Sequence, residues 1–327
     1  MFEFKLLQAT QIVEKTMAYT IYRLSLYLAL SLGFVFATIL GTGTQLMVGS
    51  FSRTPDSVGA VGGIVGFMLF GIVLYLFRGH WLYAVKAPHI VLLNDSMDES
   101  IVQQGWGQVR NAKQRVRNQY PNAAVMHRLN ESIKDVLTDL FDSQTNIGKA
   151  LPDFGDLPFS KLLNRVCSLP VTYTSEVIFA SCFKKSSDLG ASTVASSLLL
   201  YAQNFSALWR SAWVLFILNN VGWLCIFLLV QTPIAWLAEF LPVTLGGWET
   251  IFSLVLAWPI KAALFEPIGI CAMMALFNQL THNQTVDSAW EEKLAGLSDS
   301  FQTIQKKAIS EQEQQIIKEG DQEKPAQ

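Results

Sequence analysis

The sequence predicts an all-α integral membrane protein, with four transmembrane helices in two hairpins and a helical cytoplasmic insert between them. Three observations carry that expectation. Apolar residues make up 51% of the 327 residues and charged residues only 15%, where soluble domains carry about 25% charged residues. Four apolar runs each reach the roughly 20 helical residues that cross a hydrocarbon core of about 30 Å. Lys and Arg collect at the same end of every run, the pattern that marks cytoplasmic flanks. The same numbers exclude other classes. Four cysteines (Cys167, Cys182, Cys225 and Cys271) are too few for a disulfide scaffold of this length. A net charge of −2 and a pI near 6.1 leave no basic domain for nucleic acid.

Taken in order, residues 1–80 hold an N-terminal interfacial segment and the first transmembrane hairpin. Its first run, Ile21 to Val48, is interrupted only by Arg23. It is longer than the 7–15 apolar residues of a signal peptide and is soon followed by a second span, so it reads as a retained anchor. The second run, Val58 to Phe77, is uncharged and closes on Arg78 and His80. The turn-like linker of Ser50, Ser52, Thr54, Pro55 and Asp56 makes the two antiparallel.

Residues 81–170 form the cytoplasmic helical region. Val125, Leu129, Ile133, Val136 and Leu140 recur at helical spacing with polar residues between them, which gives a helix with one buried face. Pro121 and Asn122 start it, and Gly148, Pro152, Gly155 and Pro158 punctuate the loop that follows. Trp106 to Tyr120 forms a basic helix whose Arg110, Lys113, Arg115 and Arg117 suit anionic lipid headgroups, at roughly 1 kcal/mol each, or a solvated face. Membrane lipids are the partners that this stretch implies.

Residues 171–280 carry a small-residue helix and the second hairpin. Phe183 to Tyr201 mixes Lys184, Lys185 and Asp188 with small residues, a composition open to either a re-entrant or an interfacial helix. The third run, Ser211 to Val230, is uncharged and ends at Gln231 and Pro233; the fourth runs from Trp248 to about Phe277, broken by Pro259, Lys261, Glu266 and Pro267. In residues 281–327, Leu294, Leu297, Phe301 and Ile304 form a short amphipathic stripe, and the Gln-, Glu- and Lys-rich tail from Ser310 is expected to be disordered.

Basic residues set the orientation. Lys5, Lys15 and Arg23 precede the first run, Arg78, Lys86, Arg110 and Lys113 follow the second, Arg210 opens the third, and Lys293, Lys306 and Lys307 follow the fourth. The linkers hold only Arg53 in one case and no basic residue in the other. Both termini are therefore expected in the cytoplasm, with the protein in the cytoplasmic (inner) membrane.

Signatures of chemistry are missing: there is no HExxH helix, GxxxxGK[ST] loop, GxSxG elbow or CxxC pair. His80, His89, His127 and His282 have no metal-ligand spacing. The expectation is a protein that is not an enzyme, with no catalytic residues, metal or cofactor. The sharpest candidates are Lys261 and Glu266, because charges within a span mark a partner, a cavity or a pathway. They stand five residues apart, roughly 140° around an ideal helix, so a direct pair needs the distortion that Pro259 and Pro267 can supply. With Asn219 and Asn220 near the midpoint of the third run, they suggest a polar intramembrane site at mid-depth. Helix glue and a snorkelling lysine are the plainer alternatives. Gly59, Gly62, Gly63 and Gly66 make two overlapping GxxxG pairs for helix packing, against the first span or a second copy.

Several stretches carry a resemblance: Glu176-Val177-Ile178, Leu200-Tyr201-Ala202-Gln203-Asn204, Lys261 to Pro267, Trp290-Glu291-Glu292-Lys293, and Leu297 to Phe301. On these, the chain from Glu176 to about Lys307 resembles a group of uncharacterised bacterial multi-pass membrane proteins. More distantly, the order of a small-residue segment, Tyr201-Ala202-Gln203-Asn204-Phe205 and a late acidic span residue is similar to the choline transporter-like family. That resemblance implies a role for Glu266 in a span. The expected function is a membrane transporter, channel or lipid-handling protein, with Glu266 binding a cation or proton and Lys261 as its counter-charge. With four spans per protomer, transport would imply a homo-oligomer. The alternative is a non-catalytic membrane scaffold or assembly factor that joins a membrane protein complex through its cytoplasmic helices.

Overall fold

The structure, a computed structural model, describes residues 6–49, 55–97, 105–120, 122–145, 170–181, 183, 190–240 and 247–322. The loop at 146–169, Lys184, Lys185, Asp188, and the linker positions Arg53, Thr54 and Thr244 lie outside the described residues. Among the described residues every element is helical, and four helices are long and apolar enough to cross a membrane. This is an all-α membrane protein.

The chain begins with α1 (Leu6–Lys15), α2 (Met17–Gly49), α3 (Pro55–Leu76) and the short α4 (Arg78–Trp81). A π-helical turn (Leu82–Lys86) leads into α5 (Ala87–Met97), followed by α6 (Gly107–Gln119) and α7 (Ala123–Thr145). Then come α8 (Val171–Ser181), α9 (Gly190–Gln203), α10 (Phe205–Ala238) and α11 (Trp248–Ile260). A second π-helical turn (Lys261–Phe265) joins α11 to α12 (Glu266–Thr281), and α13 (Ser288–Leu297) and α14 (Asp299–Gln322) complete the chain.

Backbone groups in hydrocarbon must bond within their own segment, which is why the apolar runs are helices. α2 and α3 form the first hairpin. Small residues bring their backbones together: a Cβ on Gly62 would collide with the Gly41 carbonyl, and one on Gly66 with the Ala37 carbonyl. Gly33 leaves room for the Phe70 ring. Gly63 instead faces Thr42 and the Trp248 ring of the second hairpin, and Gly59 is buried. α10 and α11 form the second hairpin, and α11 also packs on α2, where Ser31 Oγ donates to the Val255 carbonyl at 2.8 Å.

The remaining helices build a body at one end of the spans. Its core joins Ile12 and Val13 of α1, Ile90 and Leu93 of α5, Ile133 and Leu137 of α7, Ile178 of α8, Leu198 of α9, and Phe301 of α14. The fourth span is the link. It continues through α12, whose Ile270, Met273, Met274 and Phe277 enter the same core. Accordingly 56% of an 18-residue apolar window of the fourth span is buried, against 11–17% of such a window in the other three.

Several boundaries differ from the sequence expectation. α2 starts at Met17 and α10 at Phe205, because each continues beyond its apolar run into the body. α9 lies against α8, α13 and α14 within the body, so it is not re-entrant. The stripe from Leu294 to Ile304 is two helices that meet at Ser298, whose Oγ accepts from the Phe301 N–H at 3.4 Å. The tail beyond Ser310 stays helical to Gln322. Its Gln, Glu and Lys are good helix formers, and Glu311 accepts from the Ala191 N–H at the start of α9, which ties the helix down.

Because Gly66 meets backbone rather than a movable side chain, Gly66→Leu should separate α2 from α3. It is expected to cost about 1–3 kcal/mol as overpacking, read as a lower melting temperature in detergent, while Gly43→Ala, where a Cβ meets open space, should leave stability unchanged.

Candidate functional site

Two prolines prepare the site. In an α-helix each N–H bonds to the carbonyl four residues back, and proline has no N–H to give. Pro88 and Pro267 each stand two residues after a π-helical turn, and the wider turn absorbs the missing bond. In the second turn the Glu266 N–H bonds to the Lys261 carbonyl. The two turns deliver Lys86 and Glu266 to the same place, where the spans meet the body.

Arg23 of α2 is the centre of that place and is 0% exposed. Its Nη2 donates to Glu266 Oε2 at 2.9 Å, its Nε to the Tyr27 hydroxyl at 3.2 Å, and its Nη1 lies 3.3 Å from His89 Nδ1. Lys86 forms an ion pair with Glu176 of α8 beside it. Two cations thus meet two carboxylates, and the group closes without net charge. A guanidinium only donates, so His89 Nδ1 accepts and the ring proton belongs on Nε2. That Nε2 is buried without a partner among the described residues. Burial, and then the Arg23 guanidinium, hold His89 well below its ordinary value, so the ring is neutral. Tyr19 stacks on it at 4.8 Å and donates to the Val85 carbonyl at 3.0 Å. For Lys86, burial pulls downward, but the Glu176 and Glu266 carboxylates outweigh it and raise its pKa. Burial pushes Glu176 upward against Lys86. These shifts oppose each other, and the ion-pair geometry decides for the charged pair.

The depth of the site follows from contacts between spans. Tyr27 packs on Trp81 at 5.2 Å and on Trp258 at 5.0 Å. Trp81 lies just past the end of α3, so this aromatic trio marks the body end of the apolar layer. Lys261, three residues after Trp258, lies at that edge, and Arg23 is one helical turn farther on, about 6 Å. Measured along the helices, the charges stand at the body end of the first hairpin's apolar runs and not midway along them as expected, because α11 begins beside Gly63, well inside the outer end of α3.

The expected partnership is corrected as well. Glu266 pairs with Arg23, not Lys261. Lys261 Nζ donates to Asn220 Oδ1 at 2.9 Å and sits 5.5 Å from the centre of the Trp223 ring. Asn219 turns the other way and donates to the Tyr173 hydroxyl at 2.7 Å. Of the basic stretch on α6, Lys113 donates to the Tyr22 hydroxyl at 2.7 Å, and Arg115 holds Asp95 and the Phe183 carbonyl. Only Arg110 and Arg117 are exposed. Lys86, His89, Glu176 and Tyr173 were missing from the sequence candidates. The Pro88 and Pro267 positions and the lone Arg23 in the first run were the available signals.

A shallow cleft among α5, α8 and α12, lined by Asn94, Ser181, Met274 and Asn278 among others, has a cavity volume of ≈ 10 Å³, room for about one water molecule. No group of His, Cys, Asp or Glu suited to a metal ion occurs among the described residues. No protein-family model, curated protein or solved structure matches this chain.

Removing one partner of a buried ion pair costs about 3–5 kcal/mol. Arg23→Met should fall at the lower end, since the Glu266 side chain is 26% exposed, and the Arg23→Leu/Glu266→Leu pair should be milder than either single change. Thermal unfolding in detergent tests this. His89 has a depressed pKa in the folded state, so the unfolded chain binds more protons and stability should fall as pH drops below about 6.5. The slope would approach 1.4 kcal/mol per pH unit, and the wild-type curve should exceed that of His89→Gln by this amount between pH 6.5 and 5.

Proposed function

We propose that this chain is a non-catalytic scaffold of the cytoplasmic membrane. Its spans anchor a cytoplasmic helical body that joins a membrane protein complex. The observation that carries this reading is the closed ion group of Arg23, Glu266, Lys86 and Glu176. It bolts the first and fourth spans to α8 and to the turn before α5, with no charge left over for a travelling ion. A carrier must expose its site alternately to each side, and spans fastened in this way resist that motion. The close Gly41–Gly62 approach and the small cleft point the same way. Orientation rests on the basic flanks at the body end.

The second reading is a transporter, channel or lipid-handling protein. It is favoured by the partial exposure of Glu266 and by the distant resemblance that gives an acidic residue to a late span.

Orientation and function are tested by two separate measurements. Cysteines placed at Thr54 and Thr244 should be labelled from outside intact cells by an impermeant maleimide, and labelling only after permeabilisation would overturn the orientation. Proteoliposomes should show cation and proton flux no greater than protein-free vesicles. Flux that disappears in Glu266→Gln would replace the scaffold with the transporter.

A further inference from the structure

Lys261 differs from the other buried cations. Arg23 and Lys86 each have a carboxylate, whereas no carboxylate among the described residues lies within ion-pair distance of Lys261. Among the described residues its one hydrogen-bond acceptor is the neutral Asn220 Oδ1. That amide is itself fixed, because Asn220 Nδ2 donates to the Phe216 carbonyl at 2.7 Å. The ammonium lies over the Trp223 ring. A partly exposed cation without a contacting carboxylate thus stands at the edge of the apolar layer. Around it Val221, Leu224 and Trp258 are exposed on the lipid-facing surface.

We propose that Lys261, positioned by Asn220 and the Trp223 ring, binds the phosphate of an anionic phospholipid in the leaflet at the body end of the spans. A phosphodiester supplies what this place lacks: negative charge for the ammonium. The level is right, since Lys261 follows Trp258 at the rim where headgroups begin and where a lysine snorkels. The exposed Val221 and Leu224 then face the acyl chains. A zwitterionic headgroup brings its own cation and leaves the excess charge uncompensated. The site is separate from the Arg23 group and independent of the scaffold reading.

Lipid titration of the purified full chain by native mass spectrometry tests this, with phosphatidylglycerol, phosphatidylcholine and inorganic phosphate as probes. Phosphatidylglycerol is expected to bind about five- to tenfold tighter than phosphatidylcholine, and millimolar inorganic phosphate should not displace it. Lys261→Met should erase the preference, Lys261→Arg should retain it, and Asn220→Leu, which removes the amide that positions the ammonium, should weaken it severalfold. A Lys261→Met protein that keeps the preference overturns the proposal, as does equal binding of the two lipids. Displacement by inorganic phosphate assigns the site to free anions and overturns the lipid. Should Lys261→Met fail to fold, judged by its melting temperature without lipid, Lys261→Gln decides: unchanged selectivity overturns the site.

Discussion

A guanidinium withdrawn from water must be neutralised, and the rest of this molecule is arranged around that requirement at Arg23. The residue is fully enclosed, yet one helical turn separates it from hydrocarbon. An unpaired ion there would cost about 3–5 kcal/mol, a large share of the roughly 5–15 kcal/mol that holds a domain folded. Glu266, the Tyr27 hydroxyl and His89 together occupy Arg23's donors. Each comes from a different part of the chain, so satisfying one ion fixes α5 and α12 against α2. Lys86 and Glu176 extend the same logic to α8.

The two halves of the protein rely on different forces. Between the spans, where lipid removes the hydrophobic gain from helix contact, association depends on close approach and side-chain hydrogen bonds. The Gly62 and Gly66 contacts and the Ser31–Val255 bond supply these. In the body, burial of apolar stripes dominates, and α7 shows the pattern plainly, with Met126, Ile133, Val136, Leu137, Leu140 and Phe141 all buried. The aromatic trio of Tyr27, Trp81 and Trp258 marks the border between these regimes.

Much of the fold was legible in the sequence because hydrophobic periodicity and run length are local signals. The four spans, the α7 stripe from Ile133 to Leu140 and the Asn122 start, where Asn122 Oδ1 accepts from the Ala124 N–H, were readable, while Val125 and Leu129 are only partly buried and Met126 points inward instead. The site was only partly so. Glu266 and Lys261 stand out as charges in an apolar run, but partner choice depends on how helices are rotated and staggered. Pro267 and its π-helical turn alter that rotation, and the recessed start of α11 alters the stagger. For that reason Arg23, 243 positions away from Glu266, was legible as an interruption but not as its mate. Glu176 and His89 lie in segments whose burial comes from tertiary packing, which no short window reveals. The tail misled for a related reason: polarity suggested disorder, while helix propensity and the Glu311 contact with α9 favoured order.

The continuity of α11 through α12 has a consequence for how the molecule can be divided. Ile270, Cys271, Met273 and Met274 belong to the body's interior although they are threaded on a membrane helix. No loop separates anchor from body at this point: a cut that took α12 away with the fourth span would pull the central strut out of the body's core.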